Sequence, residues 1–250
     1  MLFRSTADLT ITPKAASVTP AAKSKTYGDA DPELTGSLVG FLPADNVTAT
    51  YSRDAGETVT GGPYAIGATL APSNVLTNYA ITYGTANLTI TAKPVTVTPD
   101  AGQSKTYGAT DPELTYTTTA LGNGDTAAVF SGALHRATGE TVDGGPYLID
   151  LGTLGAGSNY TLSLDVTPVS FSITPKAASV TPAAKSKTYG DADPELTGSL
   201  VGFLPADNVT ATYSRDAGET VTGGPYAIGA SLAPSTVLTN YAITYGTANL

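Results

Sequence analysis

The chain has 250 residues, 41% of them hydrophobic, with a formal net charge of −9. That apolar content supports folded cores rather than disorder, and the acidic balance, without any basic cluster, excludes phosphate-backbone binding and disfavours anionic membrane surfaces. The absence of Cys rules out disulfides, thiolate catalysis and Cys-ligated zinc, and no run reaches the ~18 apolar residues of a membrane-spanning helix.

The start, Met1-Leu-Phe-Arg-Ser5, lacks the apolar region and cleavage site of a signal peptide. Thr6-Ala-Asp-Leu-Thr-Ile11 matches Thr85-Ala-Asn-Leu-Thr-Ile90. Residues 1–11 therefore read as the tail strand of a preceding, missing module, and the chain as a piece of something longer. Ile11–Leu88 and Ile173–Leu250 align at an offset of 162 and differ only at Thr69/Ser231 and Asn74/Thr236. A divergent copy lies between them. The expected organisation is module one over 12–91, module two over 92–174, and module three over 175–250 with its last strand truncated. Self-similarity at such a period marks an array. Repetition suits a rod, a spacer or a multivalent surface better than a unique active site.

Within module one, apolar residues alternate with Thr and other small polar residues, the pattern of half-buried strands. Strands are predicted near 15–19, 23–27, 33–39, 46–53, 63–70, 78–83 and 86–91. Turn chemistry separates them at Tyr27-Gly-Asp-Ala-Asp-Pro32, Asp54-Ala-Gly56 and Gly61-Gly-Pro63. Leu42–Asn46 has room for one helical turn. The expected core is Val18, Leu34, Leu38, Phe41, Val47, Tyr64, Ile66, Leu70, Tyr79, Ile81, Leu88 and Ile90. Six or seven short strands predict an all-β, small sandwich-like (immunoglobulin-like) module in an elongated array, each closing on its own core. The alternative is a β-grasp-like module with one short helical turn. The joints Ile11-Thr-Pro-Lys14, Ile90-Thr-Ala-Lys-Pro94 and Ile173-Thr-Pro-Lys176 are short. They run one module almost directly into the next.

Three features recur in every copy. Ser24-Lys-Thr-Tyr-Gly28 precedes Asp31-Pro-Glu-Leu-Thr35, with counterparts at Ser104–Gly108 and Ser186–Gly190. Arg53 and Glu57 precede Gly62-Pro-Tyr64, and Asn78-Tyr79 precedes Leu88-Thr-Ile90. This pattern resembles the MBG repeats of the YGX type, over nearly the whole chain. The resemblance implies an extracellular, all-β repeat of a bacterial surface protein or adhesin, and no catalytic residues. The middle copy departs from the pattern with extra residues around Leu121–Val129.

Each motif has a chemical and a structural reading. Lys25-Thr-Tyr-Gly28 offers a sugar an aromatic and a cation; structurally, Tyr packs and Gly takes a positive φ. Asp29, Asp31 and Glu33, repeated as Asp191, Asp193 and Glu195, are the calcium candidates, but they supply too few oxygens alone, and Ala109 removes one in the middle copy. The other reading is an Asp-Pro turn. Arg53 with Glu57, like Arg136 with Glu140 and Arg215 with Glu219, reads as a surface ion pair pinning a hairpin, worth ~0–1 kcal/mol. Gly62-Pro63-Tyr64 resembles a tyrosine corner, its hydroxyl capping backbone across a loop. His135 is the only His, which denies modules one and three any His-based triad or zinc site; it reads as a strand-face residue. Asn46, Asn87, Asn159 and Asn208 head N-x-Thr triplets, read as coincidence in a Thr-rich chain. A Lys–Asn isopeptide crosslink would suit a surface rod.

The expected function is a non-catalytic extracellular stalk or spacer of a bacterial surface adhesin, with no cofactor. Its partners would be neighbouring repeats and a host or matrix glycan or protein, with no nucleic acid and no membrane insertion. The alternatives are weak multivalent glycan or mucin binding, favoured by exposed, clustered tyrosines, and the accessory region of a large secreted glycoside hydrolase.

Overall fold

The computed structural model describes residues 8–250. The tail strand expected over residues 1–11 falls mostly outside the described residues, and residues 8–13 carry no strand. Copy one has seven strands close to the expected places. They are β1 (Lys14–Pro20), β2 (Lys23–Thr26), β3 (Gly36–Val39), β4 (Thr48–Arg53), β5 (Tyr64–Ala71), β6 (Tyr79–Tyr83) and β7 (Ala86–Thr91). The expected helical turn is a 3-10 segment, Pro43–Asp45, entered by a proline and closed by Asn46 at φ 47°.

These strands form a front sheet, β3-β1-β6, and a rear sheet, β2-β7-β5-β4. β1 and β2 are one extended segment interrupted at Ala21-Ala22; β6 and β7 are another, interrupted at Gly84-Thr85. The two segments run parallel in a single register, Lys14 opposite Tyr79 in front and Lys23 opposite Leu88 behind. Pro20 ends the ladder of β1 without a donor, and the Gly84 N–H donates to the Val18 carbonyl at 2.9 Å. The remaining pairs, β1/β3, β4/β5 and β5/β7, are antiparallel. The parallel pairs depart from an all-antiparallel sandwich, because period-two alternation carries no information about strand direction.

Copy two supplies β8 (Lys93–Pro99), β9 (Ser104–Thr106), β10 (Tyr116–Thr118), β11 (His135–Arg136), β12 (Tyr147–Asp150), β13 (Tyr160–Leu164) and β14 (Ser170–Thr174). Its rear sheet is ordered β11-β12-β14-β9. Copy three supplies β15 (Lys176–Pro182), β16 (Gly198–Val201), β17 (Thr210–Arg215), β18 (Ala227–Ala233), β19 (Tyr241–Tyr245) and β20 (Ala248–Asn249). These form sheets β16-β15-β19 and β17-β18-β20. Among the described residues no helix is long and apolar enough to cross a membrane.

The compact units do not coincide with the copies. One unit contains the chain up to Val97 together with Thr118–Ser131 and Gly155–Ser163; the other contains Thr98–Thr117, Gly132–Leu154 and Leu164–Leu250. The buried cluster of the first unit joins Tyr27, Tyr64, Ile66, Leu88 and Ile90 of copy one to Val95, Ala156 and Tyr160 of copy two. The interior of the first unit is therefore shared by two copies. The reason is local. β7 passes into β8 across Ala92 alone, and the buried set shifts phase there, from Leu88 and Ile90 to Val95 and Val97. The rear sheet of copy one thereby finds its cover in front-half residues of copy two. Of the expected core, Val18, Tyr64, Ile66, Tyr79, Leu88 and Ile90 are buried, while Leu34, Leu38, Phe41, Val47, Leu70 and Ile81 are half-buried.

Candidate functional site: the tyrosine joint and the ionic cluster

In the first unit, Tyr27 leaves the end of β2 and enters copy two. Its ring stands edge-on to Tyr160, with centroids 5.3 Å apart and planes at 79°, a favourable quadrupole arrangement. The Tyr27 hydroxyl donates to Asp125 Oδ2 at 2.9 Å, and the Tyr160 hydroxyl donates to the same oxygen at 2.7 Å. The Gly122 N–H donates to the Tyr160 oxygen at 3.1 Å. Burial, and then the Asp125 carboxylate, push the Tyr160 hydroxyl up to about 12, so it stays a donor. A second lock lies alongside: the Val59 N–H donates to Asn159 Oδ1 at 2.9 Å. Gly28, at φ +83°, has the Gly122 Cα 2.7 Å from where a Cβ would stand. Only glycine permits both this backbone conformation and this approach.

The second unit builds the same joint between copies two and three. The Tyr107 hydroxyl lies 3.0 and 3.1 Å from the two Asp207 oxygens, and its ring is edge-on to Tyr241 at 5.4 Å. Tyr241 also donates to Asp207 and accepts from the Leu204 N–H at 2.9 Å. The Val142 N–H donates to Asn240 Oδ1 at 2.8 Å, and the Leu204 side chain packs against Gly108.

Behind each joint sits an ionic cluster larger than the expected surface pair. Lys25 Nζ bridges Asp31 at 2.7 Å and Glu57 at 2.5 Å; Arg53 clamps Asp31 with Nε and Nη2 at 2.6 and 3.0 Å and also reaches Glu57. The cations are covered, with side chains 5% and 11% exposed for Lys25 and Arg53, whereas Asp31 at 38% and Glu57 at 44% meet water. Hydrogen bonds from Arg53 and then Lys25 hold the Asp31 carboxyl down at about 2. The sequence reading missed Lys25 because a local i, i+4 spacing points only to Arg53 and Glu57. Lys25 reaches them because β2, β7, β5 and β4 share one sheet. Copies two and three repeat the cluster with Lys105, Asp111, Arg136 and Glu140, and with Lys187, Asp193, Arg215 and Glu219.

Tyr64 is the expected corner. Its hydroxyl donates to the Thr58 carbonyl at 2.8 Å and accepts from the Thr58 N–H at 3.0 Å. Arg53 lies over its ring, 5.5 Å from the centroid. Gly56, at φ +142°, leaves the ring room: a Cβ there would lie 2.1 Å from Tyr64 Cε1. Tyr147 and Tyr226 repeat the corner on Thr141 and Thr220.

The calcium candidates do not converge. Asp31 and Asp193 are held by Lys and Arg, while Asp29 and Asp191 form turns through their N–H groups on Thr26 and Thr188 at 3.0 Å. Glu33 and Glu195 are exposed and take no part in the ionic clusters, and among the described residues no three acidic or His side chains group to hold a metal ion. Lysine meets Asp31 rather than an asparagine, and an ionised, Arg-clamped carboxylate is a poor electrophile for isopeptide formation. His135 lies exposed on β11, 3.5 Å from Asp150, as expected of a strand-face residue. The joint itself, with Asp45, Asp125 and Asp207 as acceptors, was not foreseen. The signal was an Asp and an Asn-Tyr pair at corresponding places in all three copies.

A family model described as MBG domain (YGX type) matches residues 16–89, 95–168 and 178–250. A comparison with curated proteins finds no match.

Proposed function

Because the chain belongs to the MBG domain family of the YGX type, whose repeats occur in bacterial surface proteins, we propose that it is a non-catalytic stalk or spacer segment of an extracellular bacterial adhesin. The observation that carries this reading is where the recurrent tyrosines go. Tyr27, Tyr64, Tyr79, Tyr147, Tyr160 and Tyr241 are buried. They bind copy to copy or cap loops, and so are withdrawn from any sugar. The large exposed side chains include Tyr189, whose counterpart Tyr27 is buried, and Tyr83 and Tyr245, which correspond to each other, but the middle copy has Leu164 at that place. A glycan platform repeated along the array would need an aromatic in every copy. Joints locked by a shared carboxylate and by a backbone-to-Asn hydrogen bond suit a segment that transmits load and fixes spacing.

Two experiments bear on this. In the parent protein, replacing the segment by an unrelated folded spacer of equal reach should preserve adhesion. The isolated chain should bind no member of a glycan or mucin array. Adhesion lost in the first, or array binding abolished by Tyr83→Ala with Tyr245→Ala in the second, would establish the glycan-binding alternative instead.

A further inference from the structure

The joint of the first unit hangs on a turn that its counterparts lack. Gly122-Asn-Gly-Asp125 brings the shared Asp125 carboxylate to Tyr27 and Tyr160. Copies one and three reach the matching Asp45 and Asp207 through Pro43-Ala44 and Pro205-Ala206 instead. Asn123 at φ 55° and Gly124 at φ 74°, closed by the Asp125 N–H on the Gly122 carbonyl at 2.9 Å, make the left-handed turn that Asn-Gly favours. The Asn123 side-chain amide donates to the Tyr27 oxygen at 3.3 Å. That oxygen therefore accepts from Asn123 while it donates to Asp125.

The same pair is open to chemistry. Asn123 and Gly124 are exposed, and nothing lies within 4 Å of a Cβ built on Gly124. Among the described residues the Gly124 N–H donates to no acceptor. A glycine nitrogen, with no Cβ beside it, swings freely onto the side-chain carbonyl carbon of the residue before. Every other Asn in the chain is followed by Val, Leu or Tyr, whose side chains hinder that approach. Asn46 and Asn208 show the contrast. They also take positive φ, 47° and 50°, but they precede the stiff, branched Val47 and Val209.

We infer that Asn123-Gly124 is a site of spontaneous succinimide formation, and that its products loosen the joint between copies one and two. The Gly124 nitrogen gives its proton to solvent base and bonds to Asn123 Cγ. The Cγ–Nδ2 bond breaks, and ammonia leaves with a proton returned from water. Water then opens the ring at either carbonyl, giving aspartate, or isoaspartate with the main chain rerouted through Cβ and Cγ. Water enters, ammonia leaves, and nothing is oxidised or reduced. Either product weakens the joint. Aspartate sets an anion where an amide donor met the Tyr27 oxygen, so lone pair faces lone pair. Isoaspartate adds a backbone atom to a turn whose first residue has no room to yield. Gly122 lies against Gly28, and its N–H and carbonyl both bind the Tyr160 hydroxyl, at 3.1 and 3.2 Å. The joint of the second unit has Pro205-Ala206 at this place and does not age in this way.

Holding the whole chain in warm, mildly alkaline buffer and mapping its digest by mass spectrometry tests this. The peptide that spans Asn123 should gain the mass of an amide exchanged for an acid and split into aspartate and isoaspartate forms, ahead of every other Asn peptide. Over the same interval the first unit should melt lower by roughly 2–8 °C, as a hydrogen bond is lost, while the second unit holds. Asn123→Asp should show the lowered melting without ageing. Asn123→Gly, which suits φ 55° and has no side-chain carbonyl to attack, should not change with time. An Asn123 that stays intact through the treatment, or that converts later than another Asn, would overturn the site. Full conversion with the first unit melting as before, or an equal fall in aged Asn123→Gly, would overturn the loosening of the joint.

Discussion

Tyr27 and Tyr189 occupy the same place in the same motif, Ser-Lys-Thr-Tyr-Gly-Asp, and differ in what covers them. Truncating Tyr27 to Ala removes a side chain that is 4% exposed, and loss of a buried aromatic from a core costs about 3–5 kcal/mol. The ring pair with Tyr160 accounts for roughly 0.5–1.5 kcal/mol of that. The hydrogen bond to Asp125 contributes at the low end of about 1.5–3 kcal/mol, because Tyr160 still donates to the same carboxylate. Truncating Tyr189, which is 71% exposed, should change stability by less than about 0.5 kcal/mol. Thermal melting followed by circular dichroism should show the first unit of the Tyr27→Ala variant melting roughly 6–20 °C lower, and the Tyr189→Ala variant unchanged. Equal shifts for the two variants would mean that each copy carries a private core, and the shared-interior account would be refuted.

Gly56→Ala forces a Cβ to within 2.1 Å of the Tyr64 ring at φ +142° and should cost at least ~2 kcal/mol from strain and overpacking together. Gly67→Ala, with nothing within 4 Å, should stay within about 0.5 kcal/mol, and urea denaturation compares the two. Asp31 has a folded pKa depressed from 3.8 to about 2. Its contribution is therefore present above pH 4 and lost as pH falls from about 4 towards 2. Acid titration of the melting temperature should show this loss, and Arg53→Gln should flatten it. Intact mass spectrometry should return the full sequence mass, since the Lys25–Asp31 contact is ionic; a deficit of one water would reveal an isopeptide bond.

The seven strands of copy one, the turn at Pro43–Asp45 and the Tyr64 corner were legible because alternation, proline and glycine act over a few residues. The parallel course of β1 beside β6 was not, since a strand's residue pattern is the same in either direction. Nor was the partner of Tyr27. Its motif predicts that the ring packs and that Gly28 turns, and both hold. That the ring packs on Tyr160 depends on β7 running straight into β8, a tertiary consequence of one missing linker residue or two. The Arg53–Glu57 pair was visible as local spacing; Lys25 joins it through sheet order, and Asp31 from the loop between β2 and β3. The Asp acceptors were overlooked because an isolated aspartate in a turn is common, and only its recurrence beside Asn-Tyr distinguishes it.

The shared interior sets a lower limit on how little of the array can stand by itself. The front-half residues that cover copy one come from 93–97, 118–131 and 155–163, interleaved with residues that serve the other unit. Each period has two sheets that face each other, but the buried cluster of the first unit also draws Val95, Ala156 and Tyr160 from the next copy. A repeat excised alone loses that cover, and two consecutive periods are the shortest piece with one complete seam. Stability in such a chain belongs to the seams rather than to the members, and it grows with the number of neighbours in place.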